Sequence, residues 1–164
     1  MLSHVDDRNQ PTMVDVSGKP LTLRNAHARV TVRLPPAVRV AINDGDIQTA
    51  KGPVFQTAII AGTQAAKRTH ELIPFCHPIG LDGCKLAIQL DEHGDVQIDC
   101  HTRVEHRTGV EMEALTGAAV AALTVYDMCK ALSHDIVIEG LQLISKTGGK
   151  SDYTAAPVPG PGHE

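Results

Sequence analysis

The chain has 164 residues and a formal net charge of −4, with 15 Lys and Arg set against 19 Asp and Glu. That length suits one ordinary domain with a single core, and the acidic balance excludes general nucleic-acid binding. Two Tyr, two Phe and no Trp leave no stacking platform of the kind single-strand binders use.

Residues 1–20 are polar, contain Pro and Gly, and read as a loose N-terminal segment ahead of a single domain over 21–151. The first residues, Met1 to Asp7, lack the basic and apolar regions of a secretory signal. Cys76, Cys84, Cys100 and Cys129 are therefore expected as reduced thiols in a cytoplasmic protein. Val30, Val32 and Leu34 begin a two-residue period, which Val38, Val40 and Ile42 resume after Pro35-Pro36. A helix should start near Pro53, with Val54, Phe55, Ala58, Ile59, Ala65 and Ala66 as its apolar side. Lys67 and Arg68 complement its dipole at the far end.

Two strands follow. Cys84, Leu86, Ile88 and Leu90 alternate with polar or small residues, as do Val96, Ile98, Cys100, Thr102 and Val104, and 91–95 reads as the turn between them. Thr108-Gly109-Val110-Glu111 fits a capping box, with Thr108 as N-cap and Glu111 reaching back. An Ala-rich helix should run from there to about Leu132. Thr116, Thr124 and Asp127 interrupt its apolar run, so no stretch reaches the ~18 apolar residues of a membrane span. A last strand is expected over 136–144, bulged at Gly140, and the Pro/Gly-rich stretch 152–164 reads as a disordered tail. The order βαββαβ predicts an α+β, ferredoxin-like sandwich, an antiparallel sheet with helices on one face. The sheet's other face needs a cover, which predicts oligomerisation.

Three places carry chemistry. On the second helix Glu113, Thr116, Thr124, Asp127 and Lys130 fall within roughly 120° of arc, while the remaining surface is almost wholly apolar or small. A solvated stripe normally holds more long charged residues, so this one reads as a site wall. Asp127 and Lys130 are one turn apart and form a plausible acid/base pair. Glu113 is about 21 Å from Asp127 along the helix, too far to serve the same atom within one subunit. Glu111 points the other way and is read as structural. The second place is Pro74-Phe75-Cys76-His77-Pro78, whose two prolines stiffen the backbone; on composition, a rigid binding segment and a simple turn with a structural histidine weigh equally. The third is Lys146-Thr147-Gly148-Gly149-Lys150-Ser151, which can expose backbone N–H groups and positive charge to phosphate but lacks P-loop spacing. A flexible basic loop is the simpler reading there. Lys51 adds a cation at a helix N-terminus. The spacing of the Cys and His residues matches no zinc pattern, so no metal is expected.

In order and spacing, Met13-Val14-Asp15-Val16, Lys51-Gly52, Ala61-Gly62 with Lys67-Arg68-Thr69, Leu72-Ile73-Pro74-Phe75-Cys76-His77-Pro78, Thr108-Gly109-Val110-Glu111-Met112-Glu113-Ala114-Leu115-Thr116, Tyr126-Asp127-Met128-Cys129-Lys130 and Gly148-Gly149-Lys150-Ser151 resemble the cyclic pyranopterin monophosphate synthase family of molybdenum-cofactor biosynthesis. The resemblance runs from about Met13 to Ser151. It implies a lyase that converts (8S)-3′,8-cyclo-7,8-dihydroguanosine 5′-triphosphate to a cyclic pyranopterin monophosphate and releases diphosphate, with no cofactor. It further implies a homohexamer, a trimer of dimers with sites at dimer interfaces, whose partner is a small nucleotide or pterin rather than nucleic acid or membrane. By motif position Asp127, Lys130 and Lys51 are catalytic, and Phe75, Cys76, His77, Met112, Glu113, Lys146 and Lys150 bind substrate. Phe75 stands where the family carries Leu, Arg107 where many members carry Lys, and Asp152 where a Gly follows Lys-Ser; Asp152 is expected to weaken phosphate attraction. Two other classes compete: a ferredoxin-like regulatory module that binds a nucleotide without turnover, and a small metalloprotein built on the Cys/His pairs.

Overall fold

A computed structural model describes residues 5–156. Strand β1 (Thr22–Arg33) ends where Pro35 and Pro36 withdraw backbone donors. The period of Val38, Val40 and Ile42 does not resume it. Pro36 instead starts a one-turn helix, α1 (Pro36–Arg39), which buries Val38 and leaves Val40 85% exposed. Strands β2 (Ile42–Asn43) and β3 (Asp46–Thr49) then form a tight hairpin, with Asp44 and Gly45 both at positive φ as a two-residue turn requires. After β4 (Gly52–Pro53) comes α2 (Val54–Lys67), whose N-cap Pro53 offers no side-chain bond. Asp46 supplies it from β3: its Oδ1 accepts the Phe55 N–H at 2.8 Å and sets a carboxylate at the positive end of the helix.

A short helix α3 (Thr69–Leu72) leads to the expected hairpin of β5 (Gly83–Leu90) and β6 (Val96–His106). Asp91 Oδ1 accepts the N–H groups of His93 and Asp95, each at 2.9 Å, and fixes the turn. Helix α4 (Glu111–Cys129) precedes β7 (Val137–Thr147) and β8 (Tyr153–Thr154). The capping box does not form. Val110 is the N-cap, and the Glu111 carboxylate pairs with Lys146 Nζ at 3.0 Å. A half-buried charge pair is the stronger bond, and the neighbouring strand presents it. Pairing of β8 with Ser145 and Lys146 carries the sheet past the boundary expected at 151; the part of the expected disordered tail at 157–164 lies outside the described residues.

The main sheet is antiparallel throughout, in the order β5-β6-β1-β7-β8. Helix α2 connects β1 to β5 across β6, and α4 connects β6 to β7 across β1, so the ferredoxin-like βαββαβ arrangement stands. The alternation decides the faces. Ala26, Ala28, Val30 and Val32 of β1 and Ile98, Cys100 and Val104 of β6 are buried beneath α2 and α4. Burial of each large branched side chain among them contributes about 2 kcal/mol. The odd-numbered neighbours, polar almost throughout, point from the bare face. Gly140 takes φ +67° in β7, where the register with β1 shifts between Arg29 and Thr31.

The two long helices meet through small residues. A Cβ on Gly62 would lie 2.7 Å from Gly117 O, and a Cβ on Gly117 would lie 2.7 Å from Cys100 Sγ and 3.2 Å from Gly62 O. Ala66 and Ala121 flank that close seam, 3.3 Å and 3.1 Å from where a Cβ on Gly117 and on Gly62 would lie. It holds α4 rigidly against both α2 and the sheet.

Candidate functional site

Helix α4 carries one group of site residues at each end. At its C-terminal end Asp127 sits between two ammonium groups. Lys130 Nζ lies 2.6 Å from Oδ1 and Lys51 Nζ lies 3.0 Å from Oδ2. Lys51 also donates to the Asp127 carbonyl at 3.2 Å, one of the carbonyls that every helix end leaves without a partner. It is aimed there by the turn between β3 and β4, where Gly52 takes φ +107°. Hydrogen bonds from Lys130 and then Lys51 hold the Asp127 carboxyl below its usual range, and Asp127 in turn raises Lys130. All three side chains remain about half exposed, so the group is charged, preorganised and open to a ligand.

At the N-terminal end a cavity of about 570 Å³ opens between the 73–77 segment and the first turn of α4. Phe75, Cys76, His77, Met112 and Glu113, the residues that the family resemblance assigns to substrate binding, all line it. His77 Nε2 is 2.7 Å from the Val14 carbonyl, a contact that requires the proton on that nitrogen and fixes the direction of the ring. Glu113 is 3% exposed. Burial, with Glu111 close by, pushes its carboxyl up to about 7. Burial and Glu113 also raise the Cys76 thiol, so Cys76 faces the cavity as a thiol rather than a thiolate.

Of the helix stripe, Glu113, Asp127 and Lys130 reach these two groups. Thr124 does not: its hydroxyl donates to the Val120 carbonyl of its own helix at 2.8 Å. Lys146 joins the cavity's edge through its pair with Glu111, and Glu111 itself lines the cavity. The capping role expected of Glu111 is thus overturned: its carboxylate pairs across to Lys146 of β7, at the edge of the cavity, instead of reaching back to the helix N-terminus. Lys150 extends from the loop after β7, exposed and with no ion-pair partner among the described residues. Asp152 accepts the Gly148 N–H at 3.1 Å, so it braces that loop and also occupies one of the amides that the basic-loop reading offered to phosphate. Beside the loop, Arg24 donates to the Arg107 carbonyl at 3.3 Å, while its buried Nε has no partner among the described residues.

Val14, Val16 and Lys19 also line the cavity. Periodicity gives no sign of them, since they lie in extended chain outside any helix or strand; the Met13–Val16 motif is the one signal that marks the segment. No group of three His, Cys, Asp or Glu among the described residues is placed to hold a metal ion, and Cys100 is a core residue. No described helix is long and apolar enough to cross a membrane.

Comparison with known proteins bears on the same residues. The model of the MoaC family matches residues 13–149, a span that includes both ends of the α4 site. A cyclic pyranopterin monophosphate synthase of Xanthomonas oryzae pv. oryzae is 57% identical over 155 residues, covering 94% of either chain. A molybdenum cofactor biosynthesis bifunctional protein of Synechocystis is 47% identical over 98% of this chain and 47% of its own length. Molybdenum cofactor biosynthesis protein 1 of Dictyostelium discoideum is 48% identical over 91% of this chain and 26% of its own length. With most of its length matched and the motif residues gathered at the two ends of one helix, the chain belongs to the MoaC family.

Proposed function

We propose that this protein is a cyclic pyranopterin monophosphate synthase, a lyase that takes (8S)-3′,8-cyclo-7,8-dihydroguanosine 5′-triphosphate to the cyclic pyranopterin monophosphate and diphosphate in molybdenum-cofactor biosynthesis. The observation that carries this reading is Asp127 clamped between Lys51 and Lys130. Opening and rebuilding rings needs protons moved in both directions, and a carboxylate hydrogen-bonded to two ammonium groups can pass a proton either way while remaining oriented. Closing a cyclic phosphate puts negative charge on departing diphosphate, which Lys51 and Lys130 can stabilise. Glu113, with its carboxyl raised to about 7, is suited to exchange a proton with a heterocycle held by Phe75, Cys76, His77 and Met112. Lys146 and Lys150 would hold phosphates.

The α4 groups lie about 21 Å apart along a helix rising ~1.5 Å per residue. A single small substrate does not bridge that distance, so we infer that a neighbouring subunit completes each site. A homohexamer, a trimer of dimers with sites at the dimer interfaces, meets this need, and the cytoplasm is its compartment. The test is diphosphate release from the cyclised nucleotide, followed together with pterin product. Asp127→Ala should abolish release while leaving the melting temperature within a few degrees of the wild type. Near-normal turnover by that variant would remove Asp127 from the mechanism, and no release from the folded wild-type protein would remove the activity itself.

A further inference from the structure

On the bare face of the sheet the register sets side chains in rows. One row runs Gly83, Arg103, Asn25, Thr147, and the next runs Lys85, His101, His27, Ser145. Together they wall a cavity of about 430 Å³ on the side of the sheet away from the helices. The rings of His27 and His101 stack with centroids 4.0 Å apart. In the adjoining row Asp99 Oδ1 takes both His27 Nε2 at 2.6 Å and Arg29 Nε at 2.8 Å, while Oδ2 takes Gln97 Nε2 at 2.9 Å. That carboxylate is therefore fully engaged away from the cavity, and it locks His27 in place.

The lining itself contains no carboxylate. Lys85 and Arg103 have no ion-pair partner among the described residues, although the whole chain carries a net charge of −4. Asn25 Nδ2 donates to Thr147 Oγ1 at 3.2 Å, which leaves the Thr147 hydroxyl hydrogen to point elsewhere. Two cations, an imidazole and hydroxyl donors thus converge where an apolar or cationic ligand would find no counterpart.

We infer that this face holds a second ligand site, one that takes a phosphoryl or similar multiply charged oxyanion between Lys85 and Arg103 with His101 as a further donor. Lys146 also lines this cavity and is shared with the edge of the Glu113 site through its pair with Glu111. Lys85, Arg103 and His101 belong to neither the Asp127 group nor the Glu113 cavity, and the site does not depend on the synthase reading. The groups facing His101 are His27 and Arg29 from β1, Lys85 from β5, and Asp99 and Arg103 on its own strand. Burial and His27 lower its affinity for a proton, Asp99 opposes them, and Lys85 and Arg29 add to the lowering. The ring is consequently neutral at pH 7 when the cavity is empty. An oxyanion reverses that balance, so binding takes up a proton and tightens as pH falls, by at most about tenfold per pH unit for one linked proton.

The experiment uses the full chain with ring-labelled histidine, in which the Cε1–H signals of His27 and His101 are assigned by His27→Gln and His101→Gln. Inorganic phosphate, inorganic diphosphate and GTP are titrated in turn at pH 6 and pH 8, with chloride matched for ionic strength. The site predicts a saturable shift of the His101 signal, a rise in the pH at which that ring titrates, and tighter binding at pH 6. Response to the inorganic ions identifies a free oxyanion as the ligand; response to GTP alone identifies the phosphoryl end of a nucleotide. Lys85→Ala/Arg103→Ser should weaken the response about tenfold or more, whereas Asp127→Ala should leave it unchanged. A shift that is linear with salt, a response that survives the double variant, or histidine signals insensitive to every anion because a second copy covers the face would each overturn the inference.

Discussion

Replacing Glu113 by Gln tests the electrostatics of the site without touching its shape. Glu113 is almost completely enclosed, and its carboxyl is raised from an ordinary 4.5 to about 7 by burial and by Glu111. Between those two pH values the folded protein holds a proton that the unfolded chain has released. Stability therefore falls as pH rises through this window, and the loss is complete above about pH 7. The gap corresponds to about 3 kcal/mol at high pH. Gln is neutral throughout and nearly the same size. Urea unfolding at fixed protein concentration should find Glu113→Gln close to the wild type near pH 4.5 and more stable by about 2–3 kcal/mol at pH 8, which is roughly 5–10 °C in melting temperature for a domain of this size. Turnover should fall sharply in the same variant. A stability difference that stays constant between pH 5 and pH 8 would mean that Glu113 is solvated, and the proton-exchange role built on its enclosure would go with it.

Gly117→Val places its branched side chain within reach of Cys100 Sγ and the Gly62 carbonyl; overpacking of this kind should cost about 1–3 kcal/mol in denaturant melts, or abolish soluble protein. Gly148 takes φ +85° with Leu23 O directly over it, so Gly148→Ala should cost about 2 kcal/mol and raise KM for the triphosphate as the 148–152 loop shifts. Glu111→Ala breaks a half-exposed pair with Lys146, which should change stability by less than about 1 kcal/mol yet lower kcat/KM several-fold. An unchanged kcat/KM would return Glu111 to a purely structural place.

Strands and helices with sustained periods were legible from sequence because burial of one face enforces the period. The β5–β6 hairpin and α2 are where that pattern puts them, and even the bulge at Gly140 is marked by a residue able to hold positive φ. Segments two to four residues long were not. Val38, Val40 and Ile42 have the spacing of a strand, but Pro36 favours a helical turn more strongly than three apolar residues favour a sheet. Thr108 and Glu111 have the spacing of a capping box, but spacing along α4 says nothing about Lys146, which is near only after β7 pairs with β1. The same limit explains Asp46 capping α2 and Asp152 bracing the glycine loop. Asp127, Lys130 and Glu113 were readable because one helix carries them all, whereas Lys51 was placed by its motif and meets Asp127 only through the fold.

The close seam between α2 and α4 makes the second of these helices a ruler. Gly62 and Gly117 leave no slack at the crossing, so α4 can neither slide nor turn to absorb an error in its own length. One residue inserted between Ala118 and Val125 would move Asp127 ~1.5 Å outward and swing it ~100° around the axis. Lys51, fixed to another part of the chain, would then face empty solvent while Glu113 kept its place. The number of residues separating Glu113 from Asp127 is thus constrained as tightly as their identities. Relatives that work the same way should vary in sequence along this helix but never in its count.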